Sequence, residues 1–290
     1  MVITSRGYNP DVDFNLVMNF LRETYIETKK IWNWLPTQFE NSHLGMASDI
    51  ILWENEGKIV AVANPEEKYQ YFIQINPEYN YLESQIVEQI EIRCKRDNSD
   101  KVSIISLESN TIREEILIDS GFEKESIYGI LRMRPIDEPI QDYKLPEGYM
   151  IRPVQPEKDF KKISEAVRIV FGHGEWFTEN ILYNIASYTF YRPDLDLVTV
   201  TPEEEIASFL TFRVDPVIRV AELEPMGTHP DHRRKGLAKA LISEGLKQLM
   251  SYDPTLIFIG GAANTIEANR LYEVTGFTEK KLLYRWNKLL

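Results

Sequence analysis

The sequence predicts an α/β fold with a mixed sheet, present in two tandem copies. Apolar runs of strand length alternate with amphipathic stretches of helix length from one end to the other. Some of the connections are tight turns and others are whole helices, so parallel and antiparallel neighbours must share a sheet. Finally, Asn110-Thr111-Ile112 followed by Gly121-Phe122 is echoed by Asn264-Thr265-Ile266 followed by Gly276-Phe277, 154 and 155 residues later. A period that long signals a duplicated domain and excludes a solenoid.

In the first copy a helix near 11–28 precedes strands at 50–53, 59–63 and 71–75, with a turn at Asn55-Glu56-Gly57. A helix over about 80–96, a strand at 102–105 and a helix from Asn110 to Gly121 complete it. In the second copy a strand at 149–153 leads to helices at 157–171 and 177–188, then to strands at 195–200, 206–213 and 218–228. A helix over 236–250, a buried strand at Leu256-Ile257-Phe258-Ile259, a helix capped by Asn264 or Thr265 and stopped by Gly276, and a strand from Lys281 to Trp286 follow. Between the copies, residues 136–147 are rich in proline and charge without a period, so the expected division is 1–135, a linker at 136–147, and 148–290.

Composition narrows the function. With 290 residues, 43% of them hydrophobic, the chain can fill two cores. Residues 1–145 carry 15 Lys+Arg against 25 Asp+Glu and residues 146–290 carry 18 against 20, for net charges of −10 and −2. Such an acidic balance argues against a nucleic-acid platform and makes the second half the better host for a polyanion. A single cysteine, Cys94, permits no internal disulfide and reads as buried filler. No run of eighteen apolar residues suggests a membrane span, so a cytoplasmic protein is expected, and four histidines with one cysteine offer no metal-ligand spacing.

The stretch His232-Arg233-Arg234-Lys235-Gly236-Leu237-Ala238-Lys239 follows an extended run and opens a helix. A helix N-terminus presents unpaired N–H groups and the positive end of the dipole, and a glycine there lets an anion approach the backbone. The spacing Arg233-x-x-Gly236-x-Ala238 resembles the acyl-CoA loop of the GCN5-related N-acetyltransferases (GNAT), Q/R-x-x-G-x-G/A. About thirty residues later, Ala268-Asn269, Tyr272 and Gly276-Phe277 resemble that family's A-N-x-x-Y-x-x-x-G-F pattern. One departure is that the asparagine often found seven residues before the tyrosine is Thr265 here, with Asn264 one residue early.

The resemblance implies acetyl-CoA as cosubstrate and an acyl transfer to a primary amine of a small-molecule or peptide acceptor. Backbone amides from Arg233 through Lys235 and Gly236 to Leu237 and Ala238 would hold the diphosphate, helped by Arg233, Arg234 and Lys239. Met226, Gly227 and Thr228 would pair with the pantetheine amides where the central strands splay, and Asn264 and Asn269 would border it. Tyr272 would be the acid for the departing thiolate, since a phenol of pKa about 10 stays protonated near neutrality. Glu222, whose position resembles the catalytic glutamate of mycothiol-synthase-like tandem members, is the first candidate for the base and Glu224 the second. A solvated strand face is the other reading of both. His173 would face the acceptor side or simply lie in a glycine loop.

The first copy lacks these features. Placing Pro77 on Pro230 sets Glu83 in the place of Gly236 and Asn80 in that of Arg233, and placing Gly121 on Gly276 sets Leu117 in that of Tyr272. The first copy is therefore expected to keep the scaffold without the cofactor. A non-catalytic acyl-CoA-binding or partner-binding protein is the alternative from another class, and a hydroxyl or aminoacyl acceptor would share every motif.

Overall fold

The computed structural model describes residues 3–31, 34–43, 45–262 and 265–290. Contacts divide the chain into two compact units, Met1–Ile130 with Lys281–Leu290, and Leu131–Lys280.

The first unit begins β1 (Ile3–Gly7), α1 (Pro10–Thr28), α2 (Pro36–Ser42), β2 (Ile51–Asn55), β3 (Lys58–Glu67) and β4 (Gln70–Ile75). It continues with α3 (Glu83–Arg96), β5 (Lys101–Leu107), α4 (Thr111–Asp119) and β6 (Glu123–Arg134). Its sheet runs β1-β2-β3-β4-β5, then a strand from the far end of the chain, β12 (Glu279–Leu289), then β6. The strand pairs β1/β2, β2/β3 and β3/β4 are antiparallel and β4/β5 is parallel, because α3 intervenes as a crossover. One sheet face packs Tyr71, Ile73, Val102, Ile104 and Trp286 against Ile86, Val87, Ile90 and Cys94 of α3 and Leu117 of α4. Cys94 is fully buried there, which pushes its thiol up to about 12.

The second unit carries β7 (Met150–Pro153), α5 (Pro156–Phe171), α6 (Glu179–Ala186), β8 (Asp196–Val200), β9 (Ile206–Val214) and β10 (Val220–Thr228). After these come α7 (Leu237–Leu249), β11 (Leu256–Ala262) and α8 (Ile266–Val274). Its strand order is β11-β10-β9-β8-β7. The α5 helix starts on Pro156 with Glu157 and Asp159 in its first turn and stops at Gly172, whose φ of 71° needs no Cβ. Its apolar face, Phe160, Ile163, Ala166 and Val167, meets Val198, Val200 and Phe209. The opposite face of β9 receives α7, where a Cβ on Gly245 would lie 2.9 Å from Phe212 Cε2. That contact fixes how closely the helix can approach.

The unit boundary falls within β6, between Ile130 and Leu131. Residues 136–147 lie in the second unit, where Tyr143 Oη donates to Glu244 Oε2 at 2.8 Å and Lys247 Nζ to Asp142 Oδ1 at 3.3 Å.

The duplication extends to side-chain detail. Arg6 grips Asp13 through Nη1 at 2.6 Å and Nη2 at 2.7 Å, and Arg152 grips Asp159 through Nη1 at 2.6 Å and Nη2 at 2.9 Å. Each aspartate also accepts a backbone N–H, from Asn9 at 2.7 Å and Gln155 at 2.8 Å. Each arginine reaches a second carboxylate, Glu54 at 2.6 Å and Glu204 at 3.1 Å. Both pairs tie the first strand of a unit to its first helix. Each helix-ending turn likewise bonds Phe N–H to the carbonyl five residues back, Phe122 to Leu117 and Phe277 to Tyr272, both at 2.9 Å.

Candidate active site

The site in the second unit is built where two parallel strands part. The β10/β11 ladder holds only Val220↔Leu256, Ala221↔Ile257 and Glu222↔Phe258, although β10 continues to Thr228 and β11 to Ala262. On its other side β10 pairs with β9 through a register shift between Leu223 and Met226, spanning the cis Glu224–Pro225 peptide. Pro225 lacks an N–H, so a bulge is the arrangement its residue type allows. Beyond Glu222 the β11-facing edge of β10 has no strand partner among the described residues.

The α7 N-terminus stands beside that opening. Gly236 is its N-cap at φ 79°, and the first bond into the helix is Ala240 N–H to Gly236 O at 3.0 Å. Leu237, Ala238 and Lys239 precede it with N–H groups that have no backbone partner among the described residues. A Cβ at Gly236 would meet nothing within 4 Å, so the cradle is open on that side. Arg233, Arg234 and Lys235 are exposed and Lys239 half-buried, and Arg234 adopts φ 61°. Arg233 Nε donates to Thr228 O at 3.2 Å, which joins the loop to the end of β10. Lys235 Nζ donates to Tyr149 Oη at 2.9 Å, and the same oxygen lies 2.9 Å from His232 Nδ1.

The remaining sequence-derived residues sort clearly. Glu222 is buried and opposite Arg213 in the ladder, whereas Glu224 and Met226 are half-buried on the bulged segment. Gly227 has no room for a side chain, because a Cβ would sit 2.4 Å from Phe209 Cζ and 3.0 Å from Val170 Cγ1. The Thr228 hydroxyl is buried without a hydrogen-bond partner among the described residues. Tyr272 is buried on α8, its ring edge-on to Phe277 at 6.2 Å. Burial, with a smaller contribution from the Glu224 charge and against the opposing pull of Arg132, raises its phenol to about 12. The structure thus brings Tyr272 and Glu224 within electrostatic reach of one another. His173 lies against Trp176 at 5.1 Å and Phe177 at 5.5 Å, in the loop between α5 and α6. Asn264 lies outside the described residues.

Asn269 is committed to the scaffold. Its Oδ1 accepts from Arg132 Nε at 2.9 Å and its Nδ2 donates to Thr265 O at 2.9 Å. Arg132 also donates to Phe277 O at 3.0 Å and Glu273 Oε1 at 2.9 Å, and is itself only 2% exposed. Arg134 caps the same helix end through Thr275 O at 3.3 Å, against Gly276, where a Cβ would lie 2.9 Å from Arg134 Nε. These two arginines orient the helix that carries Tyr272, and sequence reasoning missed both. Their signal was present as Leu131-Arg132-Met133-Arg134, two charges at strand spacing in an otherwise apolar run.

The first unit uses the corresponding place differently. Glu83, at the start of α3, is 2% exposed and accepts from Arg113 Nε at 2.5 Å, and Arg113, on α4, is 1% exposed. Counting back 155 residues from α8, Arg113 takes the position of Ala268, as Leu117 takes that of Tyr272. A buried internal ion pair therefore spans from the N-terminus of α3 to α4, where the second unit leaves open backbone.

The family model described as acetyltransferase (GNAT) family matches residues 163–277. Those residues are similar to that family's domain. The chain as a whole has a tandem GNAT fold: it superposes on a tandem GNAT protein from the clavulanic acid biosynthesis pathway with a TM-score of 0.69 at 12% identity, covering 99% of this chain and 98% of that one. A GCN5-related N-acetyltransferase from Sphaerobacter thermophilus gives 0.68 at 17% identity, covering 99% and 95%. Among curated proteins, an N-acetylaspartate synthetase from Xenopus tropicalis is 28% identical over 110 residues, 38% of this chain and 41% of that relative. The match thus spans less than half of the relative's length. No helix among the described residues is long and apolar enough to cross a membrane.

Proposed function

We propose that the second unit binds acetyl-CoA and transfers its acetyl group to a primary amine. The observation that carries this reading is the coincidence of three features: strands that part after Glu222↔Phe258, an α7 N-terminus with open N–H groups at Gly236, and a buried tyrosine near a carboxylate. The residues fit the ligand. The N–H groups of Leu237, Ala238 and Lys239 would hold a diphosphate, with Arg233, Arg234 and Lys239 supplying charge. The bare edge of β10 at Met226, Gly227 and Thr228 would hydrogen-bond the pantetheine amides as a neighbouring strand does, with the orphan Thr228 hydroxyl alongside. Bound acetyl-CoA supplies the activated thioester.

The protein's share of the chemistry is proton handling. An alkylamine is protonated at neutral pH and must lose a proton before attack, which we assign to Glu224, with Glu222 as the buried alternative on the same strand. Tyr272 Oη keeps its proton at neutral pH and delivers it to the leaving sulfur. The two roles are coupled, because a proton arriving on Glu224 removes the part of the Tyr272 phenol's rise that its charge adds to the larger effect of burial. Release then becomes easier at the moment it is needed. Thiol release from acetyl-CoA over a panel of primary amines tests the reading: turnover on at least one amine is expected, and the absence of both turnover and acetyl-CoA binding would overturn it.

A further inference from the structure

A second candidate binding site lies in the first unit, away from the features used above. A cavity of about 590 Å³ opens on the sheet face formed by β4, β5, β12 and β6. Its floor is a polar ladder: Gln70 and Ser103 are register partners, Ser103 and Asn287 are register partners, and Ser103 Oγ donates to Asn287 Oδ1 at 2.6 Å. Gln70 and Ser103 are each more than nine-tenths buried. A buried amide and hydroxyl row costs stability unless it is satisfied, and here part of its hydrogen-bonding capacity faces a cavity.

The charges around that floor are arranged by strand. Lys101 stands on β5, Arg285 on β12, and Glu123 and Glu125 on β6, with β12 between the other two, while Glu67 at the end of β3 and Lys68 just after it add one charge of each sign at the rim. Spacing of two along each strand keeps 101 with 103, 285 with 287, and 123 with 125 on one face. Lys101, Arg285, Glu123 and Glu125 form no ion pair among the described residues, whereas the neighbouring Lys288 is already held by Glu91 at 2.7 Å. Arg285 Nε is buried and donates no hydrogen bond, and its guanidinium rests 5.0 Å from the centre of the Tyr128 ring. The nearby Glu66 carboxylate is occupied by the Tyr128 hydroxyl. The Arg285 guanidinium is attracted to Glu66 and stacked on Tyr128, yet its Nε has no hydrogen-bond partner and can take a carboxylate. The acidic strand on the far side calls for a cation, so neither a simple anion nor a simple cation satisfies both walls.

We infer that this groove binds a small zwitterion of the short-peptide class, its carboxylate toward Arg285 and Lys101 and its ammonium toward Glu123 and Glu125. Strands lie about 4.8 Å apart, so the outer two are separated by about 10 Å. An extended tripeptide places its termini about 10 Å apart. The inference is independent of acetyl-CoA chemistry, because it concerns the other unit and is read in the absence of acetyl-CoA.

Isothermal titration of the full chain with triglycine tests it, with N-acetyl-triglycine and triglycinamide as probes carrying a single charge. Triglycine is expected to bind, and each blocked form to bind at least about tenfold more weakly. Arg285→Gln and Glu125→Gln should each weaken triglycine by about tenfold or more at unchanged melting temperature. Arg285 packs on Tyr128, so Glu125→Gln, at an exposed position, carries the test if Arg285→Gln fails to fold. No heat with triglycine at 10-millimolar order, equal binding of a blocked form, or wild-type affinity in Glu125→Gln would each overturn the inference.

Discussion

Replacing Gly236 by alanine separates backbone strain from cofactor contact. Nothing lies within 4 Å of a Cβ there, so the new methyl meets no protein atom, and the stability cost is that of a non-glycine residue at φ 79°. A left-handed alanine costs about 1–2 kcal/mol, and the stiffer unfolded chain returns about 0.4–1 kcal/mol. The net, about 1 kcal/mol, lowers the melting temperature by about 2–4 °C for a unit of this size. Acetyl-CoA affinity should fall far more, since a methyl over the N–H cradle displaces one or two charge-assisted hydrogen bonds of about 1.5–3 kcal/mol each. That corresponds to a dissociation constant about ten to ten thousand times weaker. Gly57→Ala is the matched control: φ 81°, no atom within 4 Å, and a turn of the other unit. Calorimetric titration and thermal melting on both variants should show equal strain with loss of affinity at Gly236 alone. Unchanged affinity in Gly236→Ala, or equal loss in Gly57→Ala, would refute the reasoning.

Three further outcomes are expected. Tyr272→Phe should lower kcat by about 10²–10⁴ with acetyl-CoA affinity within about twofold, as steady-state kinetics and titration would reveal, and a wild-type kcat would remove Tyr272 from the mechanism. Burial pushes Asp196 up to about 6 from 3.8 despite hydrogen bonds from Tyr191 and Thr211, so the folded state favours its protonated form. Stability should therefore rise as pH falls from about 6 toward 4, by up to about 3 kcal/mol, and denaturant melts of Asp196→Asn should lack that rise. Glu83→Gln strands the buried Arg113 and should cost about 3–5 kcal/mol, whereas Glu83→Leu with Arg113→Met should recover most of it by chemical denaturation; recovery in neither would show that the pair is not the closure it resembles.

Local signals carried far in this chain. Proline, acidic first turns and a closing glycine delimit α5, and Thr265 and Gly276 bracket α8 because capping and positive φ are written in single residues. The same bookkeeping across copies placed Leu117 opposite Tyr272. What stayed hidden depends on residues distant in sequence. The short β1 and the polar-fronted β6 have no pronounced alternation, and β12 enters the first unit's sheet beside β5 through a register that no local pattern encodes. The paired Arg6–Asp13 and Arg152–Asp159 contacts repeat at 146 residues rather than 154, since insertions lengthen the second copy, and a search at one fixed period passes over them. Asn269 resembles a ligand contact in sequence, yet Arg132, more than a hundred residues earlier, claims its oxygen.

The most direct test is the stoichiometry of acetyl-CoA binding to the intact chain, measured by isothermal titration. One molecule per chain is expected, bound by the second unit's open helix end while the Glu83–Arg113 pair closes the first. Two molecules per chain, or none, would contradict the account.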